Sequence, residues 1–521
     1  MDKKILFSAA PTEKRAALLE KGKLVELVVE RPDQFRLLGN IYRGVVTSIL
    51  PGIQSAFIDV GLDKSAFLHA SDVDPTLLLN EDDELIERFT GRDVRSQRRK
   101  VPRVPIEKVL EVGQQILVQV IKEPIGSKSP KVTTQISIAG RFLVLVPDAD
   151  FIGVSKKTSD VKKRRHLKKL IDQLKPKGVG FIVRTIGLKV SENEFVAEIH
   201  QLVDAWRRAQ KEALSGGGPK LVYKEYGITT TVIRDIFSED VTEVYVDHED
   251  DFSEIKSYLT TVSPNLLNRV KLYKEKMPLF DRFNIEKDLE RSLRRKVWLK
   301  SGGYLLLDHA EALIAIDVNT GRNVGKSNLE ETITRTNLEA ANEICRQLRL
   351  RDIGGLIVID FIDMRNPENR KKLENEMFRL LEADPTATSA TGLSKFGLME
   401  VTRKRVRPEL QELFTDVCHA CNGLGWVFSP QTVTARIDRA LKREAFGQKR
   451  IAIAVHPSVA AYMRKDSALI VRTLGERHGY SLEVHEDEEQ DQDEYELHPL
   501  QEGQRFKTST EKEKEEEESI A

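Results

Sequence analysis

The sequence predicts a multidomain α/β protein with a small β-barrel inserted near its N-terminus. Its 521 residues exceed the roughly 250–300 that one hydrophobic core organises, so several domains are expected. Short strand patterns separated by glycine-bearing turns dominate the stretch from Gly39 to Thr133, which is typical of a barrel. Strand and helix patterns then alternate from about residue 220 to 405, which indicates α/β organisation.

Composition narrows the class of protein. The chain has no 18-residue apolar run, and its N-terminus lacks the apolar stretch of a signal peptide, so we expect a cytoplasmic protein without a membrane span. Three cysteines argue against a disulfide framework. The net charge is zero, but residues 486–521 hold 15 acidic and 4 basic side chains, which leaves 78 basic and 67 acidic groups elsewhere. A basic body suits a polyanionic partner, and the acidic tail is predicted to be disordered.

The N-terminal region begins with alternating strand patterns in residues 1–38, and the barrel follows with a charged insertion at about 74–105 that we expect to be an exposed loop. Phe57 and Phe67 fall on neighbouring barrel strands, where aromatic rings stack with bases; core packing is the alternative. Lys122 and Lys128 lie on the returning strand and its loop, where they would meet phosphates or remain solvated.

Two apolar segments that end in acid carry the predicted chemistry. Residues 312–319 (ALIAIDVN) and 355–363 (GLIVIDFID) have the pattern of strands inside a sheet covered on both faces. Asp317 and Asp360 stand where these strands end, and a helix from about Asn328 to Leu350 joins them in a βαβ unit. Carboxylate oxygens suit Mg²⁺, which activates water and neutralises charge on a phosphodiester; the alternative is a structural role for both aspartates.

Nearby residues receive lesser roles. Asn319 lies on the strand face of Asp317 and could hold its carboxylate. Asp363 would face away from Asp360 if the strand persisted, so it is assigned a structural or supporting role. Cys345 falls on the apolar stripe of the helix and is predicted to pack. The segment 321–327 (GRNVGKS) resembles a phosphate loop, but it has three residues between its glycines instead of four, so we reject a nucleoside triphosphatase.

Two further motifs suggest binding sites. Arg184 and Thr185 end an apolar strand, where a guanidinium and a hydroxyl would form a pocket for a terminal phosphate. Cys418 and Cys421 form a CxxCxGxG motif, but a structural zinc needs four ligands. Either two chains share one zinc, or His419 or a distant histidine contributes, or the pair is a redox dithiol.

Taken in order, these motifs resemble the ribonuclease E/ribonuclease G family over about residues 1–485. The most specific stretches are EALIAIDVNTG (311–321), NLEETI (328–333), TNLEAANEICRQLRLRDIGGLIVIDFIDM (336–364) and CHACNGLG (418–425). The resemblance implies catalytic Mg²⁺ ligands at Asp317 and Asp360, with Asn319 steadying the first. It also implies a sensor for a 5′-monophosphate at Arg184 and Thr185 and stacking aromatics at Phe57 and Phe67. Cys418 and Cys421 would bind a Zn²⁺ shared by two protomers of a homodimer.

The resemblance also implies the names of the domains, in chain order: a first RNase H-like segment (1–38), S1 RNA-binding domain (39–133), 5′-sensor (134–216), a second RNase H-like segment (217–292), DNase I-like catalytic domain (293–415), zinc link (416–429), small dimerisation domain (430–485) and acidic tail (486–521). The expected activity is Mg²⁺-dependent cleavage of single-stranded ribosomal RNA precursors and messages. The insertion and the short acidic tail depart from the family pattern, and the short tail favours a protein like ribonuclease G. A non-catalytic RNA-binding adaptor is the rival, and Mg²⁺-dependent cleavage discriminates between the two.

Overall fold

A computed structural model describes residues 2–31, 37–73, 105–124, 129–147, 149–155, 160–321, 329–444 and 446–507. Lys128, nearly all of the predicted insertion, the predicted helix start at Asn328 and the last 14 residues of the chain lie outside the described residues. The chain divides into two units, Met1–Leu410 and Gln411–Ala521, each with its own core.

The strands of the described residues are, in chain order, β1 (Lys3–Ala9), β2 (Lys14–Glu20), β3 (Lys23–Glu30), β4 (Ile41–Leu50), β5 (Ser55–Asp59), β6 (Ala66–His69), β7 (Gln115–Lys122), β8 (Lys131–Thr133), β9 (Ile138–Ala139), β10 (Leu143–Pro147), β11 (Ile152–Val154), β12 (Val179–Val183), β13 (Lys220–Tyr223), β14 (Val241–Val246), β15 (Val270–Leu272), β16 (Lys296–Trp298), β17 (Tyr304–His309), β18 (Leu313–Asn319), β19 (Gly355–Asp360), β20 (Thr388–Ala390), β21 (Leu398–Arg403), β22 (Arg450–Val455), β23 (Ser481–Glu486) and β24 (Tyr495–Leu500). The α-helices are α1 (Val161–Leu174), α2 (Glu192–Leu214), α3 (Ile228–Ile236), α4 (Glu249–Val262), α5 (Leu279–Arg282), α6 (Ile285–Ser292), α7 (Leu329–Leu350), α8 (Pro367–Glu382), α9 (Leu410–Phe414), α10 (Pro430–Arg443), α11 (Pro457–Met463) and α12 (Lys465–His478).

A five-stranded sheet joins two distant segments of the chain. Strands β1, β2 and β3 form an antiparallel meander, and β14 adds to β1 in parallel, so the order is β15-β14-β1-β2-β3. Helices α3 and α4 contribute to its core through buried aliphatic residues such as Ile233 and Ile255. The strands between Lys3 and Glu30 therefore share one sheet with the strands between Val241 and Leu272, and the barrel lies between these two segments in the chain.

The predicted barrel is confirmed. Five strands run in the order β4-β5-β6-β8-β7, and pairing between β4 and β7 closes them, which is consistent with an OB-like fold. Strand β13 adds to the outside edge of β4. Gly44 on β4 is required by close packing, because a Cβ there would lie 2.4 Å from Cγ2 of Ile58. The closed barrel sets β5 and β6 side by side and thereby places the two predicted stacking aromatics.

Residues 138–214 form a second small α/β layer. The sheet order is β11-β12-β10-β9, and α2 packs on it through residues such as Phe195, Ile199 and Leu202. The helix also stabilises the turn before β10, because the buried Glu198 carboxylate accepts the backbone N–H groups of Phe142 and Leu143, each at 2.8 Å. This layer positions the end of β12, where the predicted phosphate pocket begins.

The sheet that carries the aspartates has the order β16-β17-β18-β19-β21-β20. Ile314, Ile316 and Val318 of β18 alternate into a core that α7 and α8 cover. The opposite face remains at least partly exposed, and Leu356 on β19 is 40% exposed there. The prediction of a sheet covered on both faces is therefore wrong. Apolar residues on the open face, among them Leu356, made the sequence pattern continuous and hid the alternation.

The second unit contains a three-stranded sheet in the order β23-β22-β24, with α10, α11 and α12 around it. The prediction that disorder begins at residue 486 is wrong for β24, which pairs antiparallel with β22. Tyr495 and Leu497 pack against the core and Leu500 is buried. The alternation of apolar residues in YELHPL supplies a strand face that the acidic average of the tail concealed. No helix in the described residues is long and apolar enough to cross a membrane.

Candidate active site and RNA-binding surfaces

Asp317 and Asp360 lie side by side on the open face of the sheet β16-β17-β18-β19-β21-β20. Their strands β18 and β19 are parallel neighbours, and the register pairs Asp317 directly with Asp360. Helix α7 connects the two strands, as the βαβ prediction required, and buries Ala341, Ile344 and Leu348 against the covered face. Strand alternation then directs both aspartates away from the core. Asp317 is half-buried and Asp360 is exposed, so the pair is reachable from solvent.

Asn319 holds the first carboxylate in position. Its side-chain amide donates a hydrogen bond to Oδ2 of Asp317 at 2.7 Å. The two residues are two positions apart on β18, so their side chains share one face of the strand. This contact is the one predicted from the sequence.

The surroundings of the Asp360 carboxyl group alter its pKa. Burial raises its pKa, and the negative charges of Asp317 and Asp363 raise it further. Strand β19 ends at Asp360, so the alternation that would turn Asp363 away does not continue to residue 363. Asp363 therefore contributes negative potential at the site, which agrees with its assigned supporting role.

Asn337 of α7 is a site residue that the sequence interpretation missed. Its buried side chain donates to the carbonyl of Ile362 at 2.8 Å and accepts from the amide N–H of the same residue at 3.2 Å. This double hydrogen bond fixes the chain just after Asp360. The signal was present, because Asn337 is a polar residue on the apolar stripe of α7 that includes Ala341 and Ile344.

The donors at this face fit a hard divalent cation. Mg²⁺ is commonly held by one or two carboxylates and keeps several of its waters. Asp317 and Asp360 supply such a pair, and the repulsion that raises the Asp360 pKa is relieved by a bound cation. No group of three or more His, Cys, Asp or Glu side chains in the described ranges is arranged to hold a metal. A fully caged metal is thus not built by the described residues, whereas a largely hydrated ion fits.

The barrel brings its two predicted aromatics together. Phe57 and Phe67 are direct cross-strand partners on β5 and β6, with ring centroids 5.9 Å apart in an edge-to-face arrangement. Both rings are half-buried, so each keeps accessible surface. Lys122 is exposed at the end of β7 beside Lys131, which pairs with Asp72 at 2.7 Å. The barrel thus places two rings and a nearby exposed cation on its surface.

The predicted phosphate pocket has an acidic neighbour. Arg184 follows β12 and donates to the carbonyl of Gly140 at 2.6 Å, and it pairs with Asp235 at 2.7 Å. Burial favours a higher pKa for Asp235, but the positive charges of Arg234 and then of Arg184 outweigh burial and lower that pKa. Thr185 is exposed, with its hydroxyl 3.0 Å from that of Ser155. Asp235 is distant from Arg184 in the chain. No sequence pattern therefore indicated that the Arg184 guanidinium already forms an ion pair with it.

The cysteine motif forms a tight turn in the second unit. A 3-10 turn spans His419–Cys421, and Asn422 follows in a left-handed conformation with φ of 47°. Backbone N–H groups of Gly425, Gly423 and Leu424 point toward the Cys421 thiol and, with Cys418, lower its pKa. The motif contributes two sulfurs on an exposed turn, and His419 is exposed beside them. Cys345, by contrast, is buried in the core beneath the sheet that carries the aspartates, where burial raises its pKa to about 12.

Sequence comparisons place the chain beside characterised relatives. A sequence model of the ribonuclease E/G family matches residues 137–406. Ribonuclease G of Escherichia coli K12 is 35% identical over 470 residues, which cover 90% of this chain and 94% of the relative. Ribonuclease G of Haemophilus influenzae is 36% identical over 462 residues, covering 88% and 91%. Ribonuclease E of the same organism is 33% identical over 506 residues, covering 96% of this chain and 52% of the relative.

Proposed function

Because the chain belongs to the ribonuclease E/G family and is an endoribonuclease, a hydrolase that acts on RNA, we propose that it cuts single-stranded, A/U-rich RNA with Mg²⁺ at Asp317 and Asp360. The products would be a 5′-phosphate and a 3′-hydroxyl. Ribosomal RNA precursors and decaying messages in the cytoplasm are the proposed substrates.

One observation carries this proposal: the register that sets Asp317 beside Asp360 on an open sheet face. A single-stranded substrate can reach that face, because helices α7 and α8 cover only the opposite one. Asn319 fixes the orientation of the Asp317 carboxylate, and Asn337 fixes the backbone after Asp360. The Asp317 carboxylate and the backbone after Asp360 are therefore held in place before substrate arrives, which supports preorganised catalysis.

The side chains of the protein would hold and orient the cation, and the cation would supply positive charge for the reaction. When bound, Mg²⁺ would lower the pKa of an attacking water and offset negative charge on the phosphodiester. Asp317 and Asp360 would hold it as carboxylates, and Asn319 would keep the Asp317 oxygens directed at one point. Asp363 would strengthen the negative potential that attracts the cation.

Two other surfaces would select the substrate. Phe57 and Phe67 present accessible rings on which bases can stack, and Lys122 is exposed near them. Arg184 and Thr185 would bind a 5′-monophosphate and stimulate cleavage of RNA that carries one. The phosphate would compete with Asp235 for the Arg184 guanidinium. Lys128, which lies outside the described residues, belongs to the same proposal for the barrel.

The domain names follow from the same proposal. Residues 1–38 and 217–292 would form the RNase H-like subdomain, 39–133 the S1 domain, 134–216 the 5′-sensor and 293–415 the DNase I-like catalytic domain. The link at 416–429 would bind Zn²⁺ through Cys418 and Cys421 of two protomers, because each chain offers two sulfurs on an exposed turn. Residues 430–485 would form the dimerisation domain. Cys418→Ala should then shift a dimer toward monomer in sedimentation; retained dimer mass with bound zinc would contradict the shared site.

The test of the activity uses a 5′-monophosphorylated A/U-rich oligonucleotide with and without Mg²⁺, and maps the ends of the products. Asp317→Asn should abolish cleavage while oligonucleotide binding changes little. Asp204→Asn, which alters an exposed carboxylate on α2, is the matched control and should cut like the parent. Undiminished cleavage by Asp317→Asn, or products with a 3′-phosphate, would contradict the proposal.

A further inference from the structure

An aromatic pair with an exposed indole occupies the edge of the sheet that carries Asp317 and Asp360. Trp298 ends the edge strand β16 and its side chain is 61% exposed. Its indole lies edge-to-face with Tyr304 of β17, with centroids 5.4 Å apart. The ammonium of Lys296 lies 4.2 Å from the Trp298 ring and 3.6 Å from the Tyr304 ring. The three side chains thus combine two π surfaces with one positive charge.

The register places this cluster on the same open face as the aspartates. Trp298 is the cross-strand partner of Tyr304, and Tyr304 is the partner of Asn319. One row further along, Lys296 is opposite Leu306, and Leu306 is opposite Asp317. Cross-strand partners share a face, and two strand spacings amount to about 10 Å. Trp298 is therefore about 10 Å from Asn319, about 12 Å from Asp317 and, one strand further on, about 16 Å from Asp360, and the last two distances amount to about three to five nucleotides at the roughly 3.4 Å rise of a stacked strand.

Simple packing does not account for the exposure of Trp298. Its neighbours Val297 and Leu299 point into the core and are buried, so the fold of β16 is secured from the other face. Trp206 on α2 gives a contrast, because it packs into a core and is 6% exposed. A large ring left open to water beside a catalytic face offers stacking area, and the adjacent ammonium favours a polyanion.

We propose that Trp298 stacks with one base of the RNA strand a few nucleotides from the scissile phosphodiester, that Tyr304 supports the indole, and that Lys296 contacts the adjoining phosphate. This subsite rests on the proposed function, because it takes its register from Asp317 and Asp360. It is a positioning site, since the stacked base sets which phosphodiester lies over the carboxylates. Stacking is tolerant of base identity, so the subsite would fix register more than sequence.

The test combines Trp298→Ala with a series of oligonucleotides in which one nucleotide at a time lacks its base. For the parent protein, one abasic position near the cut should lower kcat/KM about 5- to 30-fold. At about 1.4 kcal/mol per tenfold, that is about 1–2 kcal/mol, within the range for a stacked base. Trp298→Ala should lower kcat/KM on the intact strand by a similar factor and should then be insensitive to the same abasic position. Trp298→Phe, which keeps a ring, should recover most of the loss.

The control is Phe378→Ala, which removes a 40%-exposed ring from α8 on the covered side of the same sheet and should cleave like the parent. The stacking subsite is wrong if Trp298→Ala cleaves the intact strand at the parent rate. It is also wrong if the kcat/KM of Trp298→Ala falls below that of the parent by the same factor at every abasic position. Asp317→Asn separates the two ideas. If Asp317→Asn is inactive and Trp298→Ala cleaves at the parent rate, the subsite is wrong and the proposed function stands. If Asp317→Asn is active, both the subsite and the proposed function are wrong.

Discussion

The Asn319 amide offers a quantitative test of how the protein holds its carboxylates. Asn319→Ala removes the 2.7 Å hydrogen bond to Oδ2 of Asp317 and leaves the strand otherwise intact. A hydrogen bond to a charged group contributes about 1.5–3 kcal/mol, which is about 10- to 150-fold. Asn319 is only half-buried, so we expect the lower end of that range, about 10- to 30-fold. Losses of about 10–100-fold are usual when a partner of a metal ligand is removed.

The effect should appear in the Mg²⁺ dependence of cleavage. Asn319→Ala should need about 10- to 30-fold more Mg²⁺ for half-maximal activity, because a freely rotating Asp317 carboxylate holds the cation less well. High Mg²⁺ should restore some of the rate. Asn342→Ala is the matched control, since this exposed amide on α7 donates to the carbonyl of Leu338 and should leave the titration unchanged. A Mg²⁺ titration of Asn319→Ala that superimposes on the parent curve would refute the reasoning.

Three other predictions concern separate regions of the chain. Arg184→Ala should narrow the rate gap between 5′-monophosphorylated and 5′-hydroxyl RNA; a gap that persists would leave Arg184 as a purely structural partner. Asp384→Ala should lower the free energy of unfolding, measured in urea, by about 3–5 kcal/mol, because the buried Arg403 guanidinium loses its carboxylate partner at 2.8 Å. A loss below about 1 kcal/mol would contradict the assigned importance of this buried ion pair. In metal-free protein, alkylation of Cys421 should reach half its maximal rate at a pH below that of an ordinary thiol, since only the thiolate reacts and backbone N–H groups lower its pKa. Buried Cys345 should react only after unfolding, and equal reactivity of the two thiols would contradict both pKa directions.

The sequence predicted the carboxylate pair well because local rules determine it. Apolar runs identified β18 and β19, a strong amphipathic pattern identified α7, and a βαβ connection brings successive parallel strands together. Asn319 followed from the two-residue period of a strand. Each of these steps depends on residues close together in the chain.

The features that could not be predicted from the sequence depend on contacts between distant segments of the chain. The engagement of Arg184 by Asp235 joins residues 51 positions apart, and no local pattern announces it. The open face of the catalytic sheet was mistaken for a covered one because apolar residues such as Leu356 occur on both faces. The Trp298 cluster depends on the register of β16 against β17, which becomes known only once the strands are paired.

The most direct test of the central claim, that Asp317 and Asp360 hold the catalytic cation, is a change of metal preference. Replacing a carboxylate ligand with a softer thiolate should weaken Mg²⁺ binding far more than Mn²⁺ binding. We predict that Asp360→Cys loses cleavage in Mg²⁺ and regains a substantial fraction of it in Mn²⁺, whereas Asp363→Cys keeps the metal preference of the parent. Equal activity of Asp360→Cys and the parent in Mg²⁺, or a change of preference in Asp363→Cys alone, would contradict the assignment.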